Sequence, residues 1–328
     1  MRCAHHTWDD GAVSVEQDPV AFGVIGLGRV GGAVARSLFE SGHPALGVYS
    51  GAPSALEHAD ALLPGVPLME PAQIAKQAGL VWLTVPDDVI EPLCQELAEY
   101  WHPGQVVVHA SGVKGIAALQ PASAKGAIAL AIHPAMTFSG TSLDVAAMRG
   151  APFAITTPPG MEPLANALVQ ELGGHPFKVS EQDRALYHTA LSHLSNHLVT
   201  LIDQARSLIQ AATVADPAEI LTPLARASLA GALSNGIGAL TGPVSRGDIG
   251  TVQRHREALI SFAAQRGALV DGAMALDKTG AGALDVANTY VELAKVTARA
   301  AERAGRIDQS QVAQVEAALT APVGESKP

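Results

Sequence analysis

The chain has 328 residues, of which 48% are hydrophobic and 16% charged, so it can bury the cores of two ordinary domains. Its formal net charge is −10, and no Lys or Arg cluster is long enough to follow a phosphate backbone, which argues against nucleic-acid binding. No apolar run reaches the roughly 18 residues of a membrane span, and the N-terminus does not resemble a secretory signal. The two cysteines, Cys3 and Cys94, are too few for a disulfide framework, so we expect a cytoplasmic protein. They also lack the spacing of metal ligands, so we expect no metal site.

Strand-like and helix-like segments alternate through the first half and predict an α/β domain with a Rossmann-like, doubly wound parallel sheet. The predicted strands are Phe22–Ile25, Ala45–Tyr49, Leu80–Val85, Gln105–His109, Ala127–Ile132, Phe153–Thr156 and Phe177–Val179. The predicted helices between them are Val30–Ser41, Pro53–Ala61, Pro71–Gln77, Asp88–Tyr100 and Pro163–Leu172.

Strand signals vanish after Ser180, and Ala- and Leu-rich helical patterns predict an all-α second domain. Its predicted helices are Gln182–Ala212, Pro217–Asn235, Thr251–Arg266, Leu269–Asp277, Ala283–Ala304 and Gln309–Leu319. We therefore expect a flexible extension over residues 1–20, a dinucleotide-binding domain over 21–180, an all-α substrate and dimerisation domain over 181–320, and a flexible tail over 321–328. A large apolar helical domain of this kind often forms a homodimer interface.

A glycine turn follows the first strand and has the G-x-G-x-x-G spacing of dinucleotide-binding proteins. The first glycine permits the tight turn, the second lets a pyrophosphate approach the backbone, and the third lets the helix pack closely on the strand. The helix N-terminus then offers unpaired N–H groups to the phosphates. The predicted cofactor-binding residues in this turn are Gly26, Leu27, Gly28, Arg29, Val30 and Gly31.

The end of the second predicted strand favours NADPH over NADH. An NAD site usually places a carboxylate there for the ribose 2′-hydroxyl, whereas this chain has none before Glu57. Ser50 and Ser54 can donate hydrogen bonds to a 2′-phosphate, and Arg29 in the glycine turn could swing toward it.

Three other strand ends carry candidate residues, because ligands of doubly wound sheets bind at the carboxyl ends of strands. Thr84, Val85 and Pro86 are predicted to line the nicotinamide pocket, with Asp88 as the cap of the next helix. Ser111 could hydrogen-bond the nicotinamide or the substrate, or it could only cap the following helix. His133 leaves an apolar strand and is placed to act as an acid or base near neutral pH.

The first long helix of the second domain carries a polar face. An advance of about 100° per residue places four uncharged polar side chains on one arc, which predicts a cleft wall: His188, Ser192, Ser195 and Asn196. A separate stripe predicts core packing: Leu191, Leu194, Leu198, Leu201 and Ile202. His193 and His197 could bind a metal, but no third ligand is in register, so we expect a surface or interface role.

The loop from Leu240 to Thr251 joins two helices and contains glycines and a proline that shape it. Arg246 and the N–H groups near Thr251 would suit a substrate carboxylate. The alternative is that Asp248 or Thr251 only caps the helix and that Arg246 is a surface charge.

These motifs together resemble a bacterial two-domain family, and the resemblance covers nearly everything from Phe22 to Ala300. Its marks are G-L-G-R-V-G-G, T-V-P-D-D, H-A-S-G, H-P-A-M-T-F, Tyr187-His188 with Ser195-Asn196 and, most specifically, L-T-G-P-V-S-R-G-D. The family joins a Rossmann-like NADP-binding domain to a helical C-terminal domain of unassigned function. It is similar in build to pyrroline-5-carboxylate reductases and ketopantoate reductases. Some members are considered alternative ketopantoate reductases, so the resemblance implies NADPH-dependent reduction of 2-dehydropantoate (ketopantoate) to pantoate, a step of pantothenate biosynthesis. Ordinary ketopantoate reductases carry a catalytic lysine in the helix where this chain has His188 and Asn196.

A second resemblance, to prephenate and arogenate dehydrogenases, rests on Ser111-Gly-Val-Lys114, His133-Pro-Ala-Met136 and Ser192-His-Leu-Ser-Asn-His197. Each match is interrupted by inserted residues, so we rank this oxidative function second. A third hypothesis, from another class of protein, is an NADP(H)-binding sensor without catalysis.

Hydride transfer to a ketone leaves an alkoxide that needs a proton. The sequence favours His188 as the acid, Asn196 as the group that orients the carbonyl, and His133 as partner or substitute for His188. Lys114 is a weaker candidate acid. Ser192, Arg246 and Thr251 are the predicted substrate-binding residues, and the substrate is expected to be a small molecule with a carboxylate.

Overall fold

A computed structural model of the chain describes residues 19–52, 55–266 and 281–320. Residues 1–18 of the predicted extension 1–20, the predicted tail 321–328, the predicted helix Leu269–Asp277 and the candidate Ser54 lie outside the described residues.

In the described residues, seven strands form one sheet in the order β2-β1-β3-β4-β5-β6-β7. The strands β1 to β5 pair in parallel, β6 runs antiparallel to β5, and β7 is parallel to β6. The Rossmann-like doubly wound sheet is therefore confirmed, with a reversal of direction at β6 that the sequence did not predict. The strand bounds are β1 Phe22–Ile25, β2 Ala45–Tyr49, β3 Leu80–Leu83, β4 Val106–His109, β5 Ile128–Pro134, β6 Pro152–Thr156 and β7 His175–Lys178.

Helices cover both faces of the sheet. On one face Val24, Trp82 and Ile132 pack with helices α1 and α7, and on the other Ile25 and Val107 pack with α3 and α4. Apolar side chains on both faces of the same strands are what a buried parallel sheet requires. The helices up to β7 are α1 Arg29–Glu40, α2 Ala55–Leu62, α3 Pro71–Gln77, α4 Asp87–Glu96, α5 Gln120–Ser123, α6 Leu143–Met148 and α7 Glu162–Glu171, with a 3₁₀ turn at Ile116–Leu119.

After β7 the described chain is helical, as expected. The helices are α8 Arg184–Ala212, α9 Pro217–Asn235, α10 Ile249–Gln265, α11 Ala281–Arg303 and α12 Gln309–Thr320, with 3₁₀ turns at Glu181–Asp183, Gly236–Ala239 and Val244–Arg246. No helix among the described residues is both long and apolar enough to cross a membrane.

The chain divides into two compact units inside α8, since unit 1 extends to Ser195 and unit 2 begins at Asn196. The first three turns of α8 therefore belong with the sheet, although the sequence placed the boundary near Ser180. In unit 2 the core lies between α10, α11 and α12, around buried residues such as Val252, Ala298 and Val315.

The leucine stripe predicted as core on α8 is not buried in this chain. Leu194 is 54% exposed, Leu198 36%, Leu201 39% and Ile202 38%. The spacing of the stripe was correct for one helix face, but within the described residues only Arg184 of α8 is buried.

The reversal at β6 determines where α8 begins in unit 1. Because β6 is antiparallel to β5, its last residue, Thr156, lies beside Ala131 in the middle of β5. The chain leaves β7 at the same level, since Thr156 Oγ1 donates a 2.6 Å hydrogen bond to the carbonyl of Val179. The Arg184 guanidinium lies within hydrogen-bond distance of the Ala131 carbonyl, and the Tyr187 hydroxyl lies within hydrogen-bond distance of His133 Nδ1. The first turns of α8 therefore run past the carboxyl end of β5.

Candidate active site

The glycine turn after β1 has the geometry that its spacing predicted. Gly26 has a φ of 109°, and a Cβ on it would lie 2.7 Å from the backbone of Thr84. A Cβ on Gly31 would lie 2.1 Å from the carbonyl oxygen of Gly26 and 2.4 Å from Thr84 Oγ1. Gly28, the N-cap residue of α1, is exposed, and a Cβ on it would have no neighbouring atom within 4 Å. A close turn with one open glycine at a helix N-terminus fits the pyrophosphate of a dinucleotide.

Thr84 also stabilises this turn, a role that the sequence did not indicate. Its Oγ1 donates a 2.7 Å hydrogen bond to the carbonyl of Gly26, and this links the end of β3 to the turn after β1. The backbone N–H groups of Gly26 and Leu27 both donate to the carbonyl of Tyr49 at the end of β2. Three strand ends therefore hold the turn in place.

Arg29 and Ser50 flank the turn, but in this structure they do not form a joint phosphate site. Arg29 is exposed and packs against the loop after β5, where a Cβ on Gly140 would lie 3.1 Å from its Cγ. Asp144 holds this loop by accepting hydrogen bonds from the N–H groups of Ser139 and Gly140. Ser50 is half-buried, and its Oγ accepts a 3.3 Å hydrogen bond from the N–H of Ala52.

The predicted nicotinamide residues follow β3 directly. Val85 is half-buried, and Pro86 is exposed and is the N-cap residue of α4. Asp88 is therefore not the cap that the sequence predicted, because α4 begins at Asp87. A carboxylate in the first turn still stabilises the helix through the helix dipole.

Two imidazoles and a phenol meet at the carboxyl ends of β4 and β5. His133 Nδ1 lies 2.8 Å from the hydroxyl of Tyr187, and the rings of His133 and His188 meet edge-to-face at a centroid distance of 6.0 Å. A Cβ on Gly112 would lie 2.5 Å from His188 Cδ2 and 3.0 Å from His133 Nε2. Ser111 precedes this glycine and is buried. The structure thus brings together Ser111, His133 and His188, and adds Gly112 and Tyr187 to them.

Burial keeps His133 and Tyr187 uncharged at neutral pH. Desolvation, with a smaller contribution from the positive charge of Arg184, lowers the pKa of His133 to about 3. Desolvation raises the pKa of Tyr187 to about 12. The sequence predicted that His133 could substitute as the acid, but a neutral imidazole supplies a hydrogen bond rather than the proton of an imidazolium.

The alternative that Ser111 caps the following helix is wrong, because the N-cap residue of the 3₁₀ turn at Ile116–Leu119 is Gly115. The Ser111 Oγ instead accepts a 3.1 Å hydrogen bond from the N–H of Lys114 within the loop. A hydroxyl that accepts one bond still has a proton to donate. Lys114 itself is half-buried.

His109 holds the loop that carries Ser111, a role that the sequence did not indicate. Its side chain is fully buried, and its Nδ1 accepts a 3.2 Å hydrogen bond from the N–H of Ser111. The ring proton therefore resides on Nε2, which donates to the carbonyl of Gly115 at 2.9 Å. Desolvation lowers the pKa of His109 to about 4, so its imidazole is neutral at neutral pH.

Arg184 lies beneath the imidazoles and was also missed from the sequence. It is fully buried, and its guanidinium donates to the carbonyl of Ser111, to Thr156 Oγ1 at 3.0 Å and to the carbonyl of Ala131 at 3.5 Å. A single arginine at the start of a polar helix is usually a surface charge, so only the tertiary structure identifies it.

The remaining candidates lie further along the chain. Ser192 is half-buried on α8, one turn beyond His188. Asn196 is an exposed residue of α8 in unit 2, and its carbonyl accepts a hydrogen bond from Thr200 Oγ1 at 3.1 Å. His193 and His197 are exposed.

In the loop before α10 the capping interpretation is confirmed, because Asp248 Oδ1 accepts a 3.1 Å hydrogen bond from the N–H of Thr251. Arg246 is exposed and donates to the carbonyl of Thr241 in its own loop. Among the described residues, no group of three or more His, Cys, Asp or Glu side chains is arranged to hold a metal ion.

Comparison with known families matches two parts of the chain. A model of the Rossmann-like domain matches residues 7–134, and a model of a domain of unknown function (DUF2520) matches residues 151–271. The chain pairs a Rossmann-like domain with DUF2520. This confirms the predicted pairing of a Rossmann-like domain with a C-terminal domain of unassigned function.

Solved structures share this two-domain fold at low sequence identity. A putative NADP oxidoreductase from Bacteroides fragilis is 17% identical with a TM-score of 0.65, over 86% of this chain and 98% of that chain. A protein from Thermotoga maritima is 19% identical with a TM-score of 0.60, over 87% and 100%. An imine reductase from a Pseudomonas species is 16% identical with a TM-score of 0.59, over 91% and 99%. No functionally curated protein matches the sequence.

Proposed function

We propose that this protein is an NADPH-dependent oxidoreductase that reduces a C=O or C=N group of a small substrate with a carboxylate. The observation that carries the proposal is the cluster of Ser111, His133, Tyr187 and His188 at the carboxyl ends of β4 and β5. These strands lie in the same sheet as the glycine turn after β1. Ligands of doubly wound sheets bind at the carboxyl ends of the strands, so a substrate beside the nicotinamide would react at this cluster.

The glycine turn would hold the cofactor, and the fit rests on the open position of Gly28 at the N-terminus of α1. When bound, NADPH supplies the hydride. Ser50 favours NADPH over NADH. NAD sites usually have a carboxylate at the end of β2 that would repel a 2′-phosphate, whereas this chain has a hydroxyl there.

The cluster offers two kinds of hydrogen-bond chemistry to the reacting group. His188 is half-buried beside the ring of His133, and we assign to it the proton that the product oxygen or nitrogen requires. The Tyr187 hydroxyl can donate a hydrogen bond to His133 Nδ1, which leaves the His133 ring proton on Nε2. Nε2 is the atom of the His133 ring that lies nearest Gly112. The hydroxyl proton of Ser111 can be donated to the same substrate atom. Asn196, Ser192, Arg246 and Thr251 stay predictions of substrate contact.

A substrate screen tests this function. NADPH oxidation would be followed with ketopantoate, other 2-oxo acids and cyclic imines, and NAD(P)⁺ reduction with prephenate and arogenate. We expect turnover with an oxo acid or an imine, and ketopantoate is the substrate that the sequence resemblance implies. Oxidation of prephenate or arogenate would instead support the dehydrogenase alternative, while NADPH binding without any turnover would support the sensor.

A further inference from the structure

Arg184 joins three strand segments of unit 1 from below the candidate active site. Its guanidinium binds the carbonyl of Ser111 after β4, the carbonyl of Ala131 in β5 and the hydroxyl of Thr156 at the end of β6. Thr156 is itself fixed, because its Oγ1 donates to the carbonyl of Val179. The side chain therefore holds one defined position beneath the edge of the sheet.

No acidic side chain in the described part of the chain pairs with this buried charge. Among the described residues, no carboxylate lies within ion-pair distance of Arg184, and its Nε has no hydrogen-bond partner. The carboxylates of Glu181 and Asp87 act on it only at longer range. An arginine stays protonated in proteins, and burying its charge without a counter-ion costs several kcal/mol. Structural stability alone is a poor reason to place such a residue here.

We propose that Arg184 is a positioning residue for the reduction, acting through the Ser111–Gly112 peptide whose carbonyl it binds. A charge-assisted hydrogen bond to this carbonyl fixes the peptide plane and makes the N–H of Gly112 a stronger donor. The same peptide carries the Ser111 hydroxyl, and its Gly112 lies against the rings of both His133 and His188. The inference rests on the proposed function, because it assigns the reaction to these groups.

The charge of Arg184 also acts on His133. The groups that face His133 are Arg184, Tyr187 and His188 from α8 and His109 from β4. Desolvation and then Arg184 are the two largest causes that lower the pKa of His133. Removal of the guanidinium should therefore raise that pKa, an effect that a merely structural arginine far from the ring would not have.

The test compares Arg184→Met, which removes the charge, with Arg184→Lys, which keeps a cation but has one nitrogen in place of the two that bind Ser111, Ala131 and Thr156. Steady-state kinetics, NADPH affinity, thermal unfolding and an NMR titration of the His133 ring would be measured for each. We expect kcat to fall about 100-fold in both variants, the loss that a misplaced reacting group can cause. The His133 titration should move to higher pH in Arg184→Met only, with NADPH affinity retained in both. Arg149→Met, which removes an exposed arginine of unit 1, is the matched control and should behave as wild type.

Thr156→Val provides a milder test in case the arginine variants fail to fold. It removes one acceptor of Arg184 and nearly preserves side-chain volume, so we expect a smaller fall in kcat in a folded protein. The proposal is overturned if Arg184→Lys retains full kcat. It is also overturned if kcat falls only in proportion to lost thermal stability and NADPH affinity, with the His133 titration unmoved. Lack of turnover by the wild type would refute the proposed function, whereas the titration, made without substrate, would still decide whether Arg184 acts on His133.

Discussion

Gly112 lies so close to the two imidazoles that the site has no free space for a side chain there. A Cβ there would lie 2.5 Å from His188 Cδ2 and 3.0 Å from His133 Nε2, so one or both rings would have to move. We expect Gly112→Ala to lower kcat by about 100-fold, the effect of a displacement near 1 Å. NADPH affinity should be unchanged, because the glycine turn is separate. Gly282→Ala, at an exposed glycine of α11 with open space around it, is the control. Unaltered kcat in Gly112→Ala would contradict the proposed site.

His188 is the proposed proton donor, and its removal gives the sharpest kinetic prediction. We expect His188→Ala to lower kcat by about two to four orders of magnitude, the usual range for acid–base groups. His175→Ala, at an exposed histidine of β7, should leave kcat unchanged. If His188→Ala and His133→Ala both kept nearly full kcat with NADPH bound normally, proton transfer by histidine would be excluded.

Ser50 is the residue expected to set the choice of cofactor. Ser50→Asp places a carboxylate at the end of β2, where it would repel a 2′-phosphate and hydrogen-bond a 2′-hydroxyl. Fluorescence titration should therefore show NADPH bound more tightly than NADH by the wild type and the reverse by the variant. Equal affinities in the wild type would count against the role of Ser50.

Some of these residues could be predicted from local sequence spacing, whereas others have roles that depend on contacts with distant segments. The glycine turn was recognisable because its three glycines lie within six positions of the sequence, from Gly26 to Gly31. His109 and Arg184 were missed because their roles come from burial against segments distant in sequence. Tyr187 appeared only as part of a family motif, since nothing in the sequence pairs it with His133.

At the scale of elements, the strands were predicted well but their directions were not. Apolar runs between turn residues predicted all seven strands, with ends that differ by at most a few residues from those of the structure. The same pattern is compatible with either direction, so the reversal at β6 was not predicted. The short helices α5 and α6 were missed, because four and six residues are too few to show a helical period.

The loop after β4 depends on a neutral histidine and should therefore weaken in acid. The pKa of His109 is about 4 in the folded protein, below its ordinary 6.5. Below pH 6.5 the unfolded chain takes up a proton that the folded protein does not, so stability falls as the pH drops from 6.5 toward 4. The loss is on the order of 3 kcal/mol for His109, and His133 adds a loss of the same sign that extends to about pH 3.

Thermal unfolding at a series of pH values would measure this effect. We expect the melting temperature to fall between pH 6.5 and 4 in the wild type, and to fall less steeply in His109→Gln. His175→Gln, which alters an exposed histidine, should follow the wild-type profile. A flat wild-type profile over this range would show that the two buried rings are protonated in the folded protein.

At the scale of the whole molecule, unit 2 leaves much apolar surface exposed on α8 and α9. Val199 is 67% exposed, Leu224 63% and Leu233 74%, and Pro217 is the only buried residue of α9 among those described. Monomeric proteins rarely leave apolar surfaces of this kind uncovered, and most oligomers are built from copies of one chain. We propose that a second copy of the chain covers them, which agrees with the homodimer expected from the sequence.

Sedimentation or light scattering tests this assembly. The wild type should have the mass of a dimer, and Leu233→Asp should shift it toward the monomer by burying a charge in the interface. Val214→Asp, which alters a fully exposed residue between α8 and α9, should leave the mass unchanged. A monomeric wild type at micromolar concentration would contradict the proposal.

The contacts that build the candidate site join segments far apart in the chain, which bears on the order of folding. The hydrogen bond between His133 and Tyr187 spans 54 positions, and that between Ser111 and Arg184 spans 73. Such contacts require large loops to close, so they form after the local helices and neighbouring strand pairs. During synthesis, β4 and β5 emerge long before the first turns of α8. We expect the site to assemble as one of the last events of folding, so that a partly folded chain has the sheet but no reactive centre.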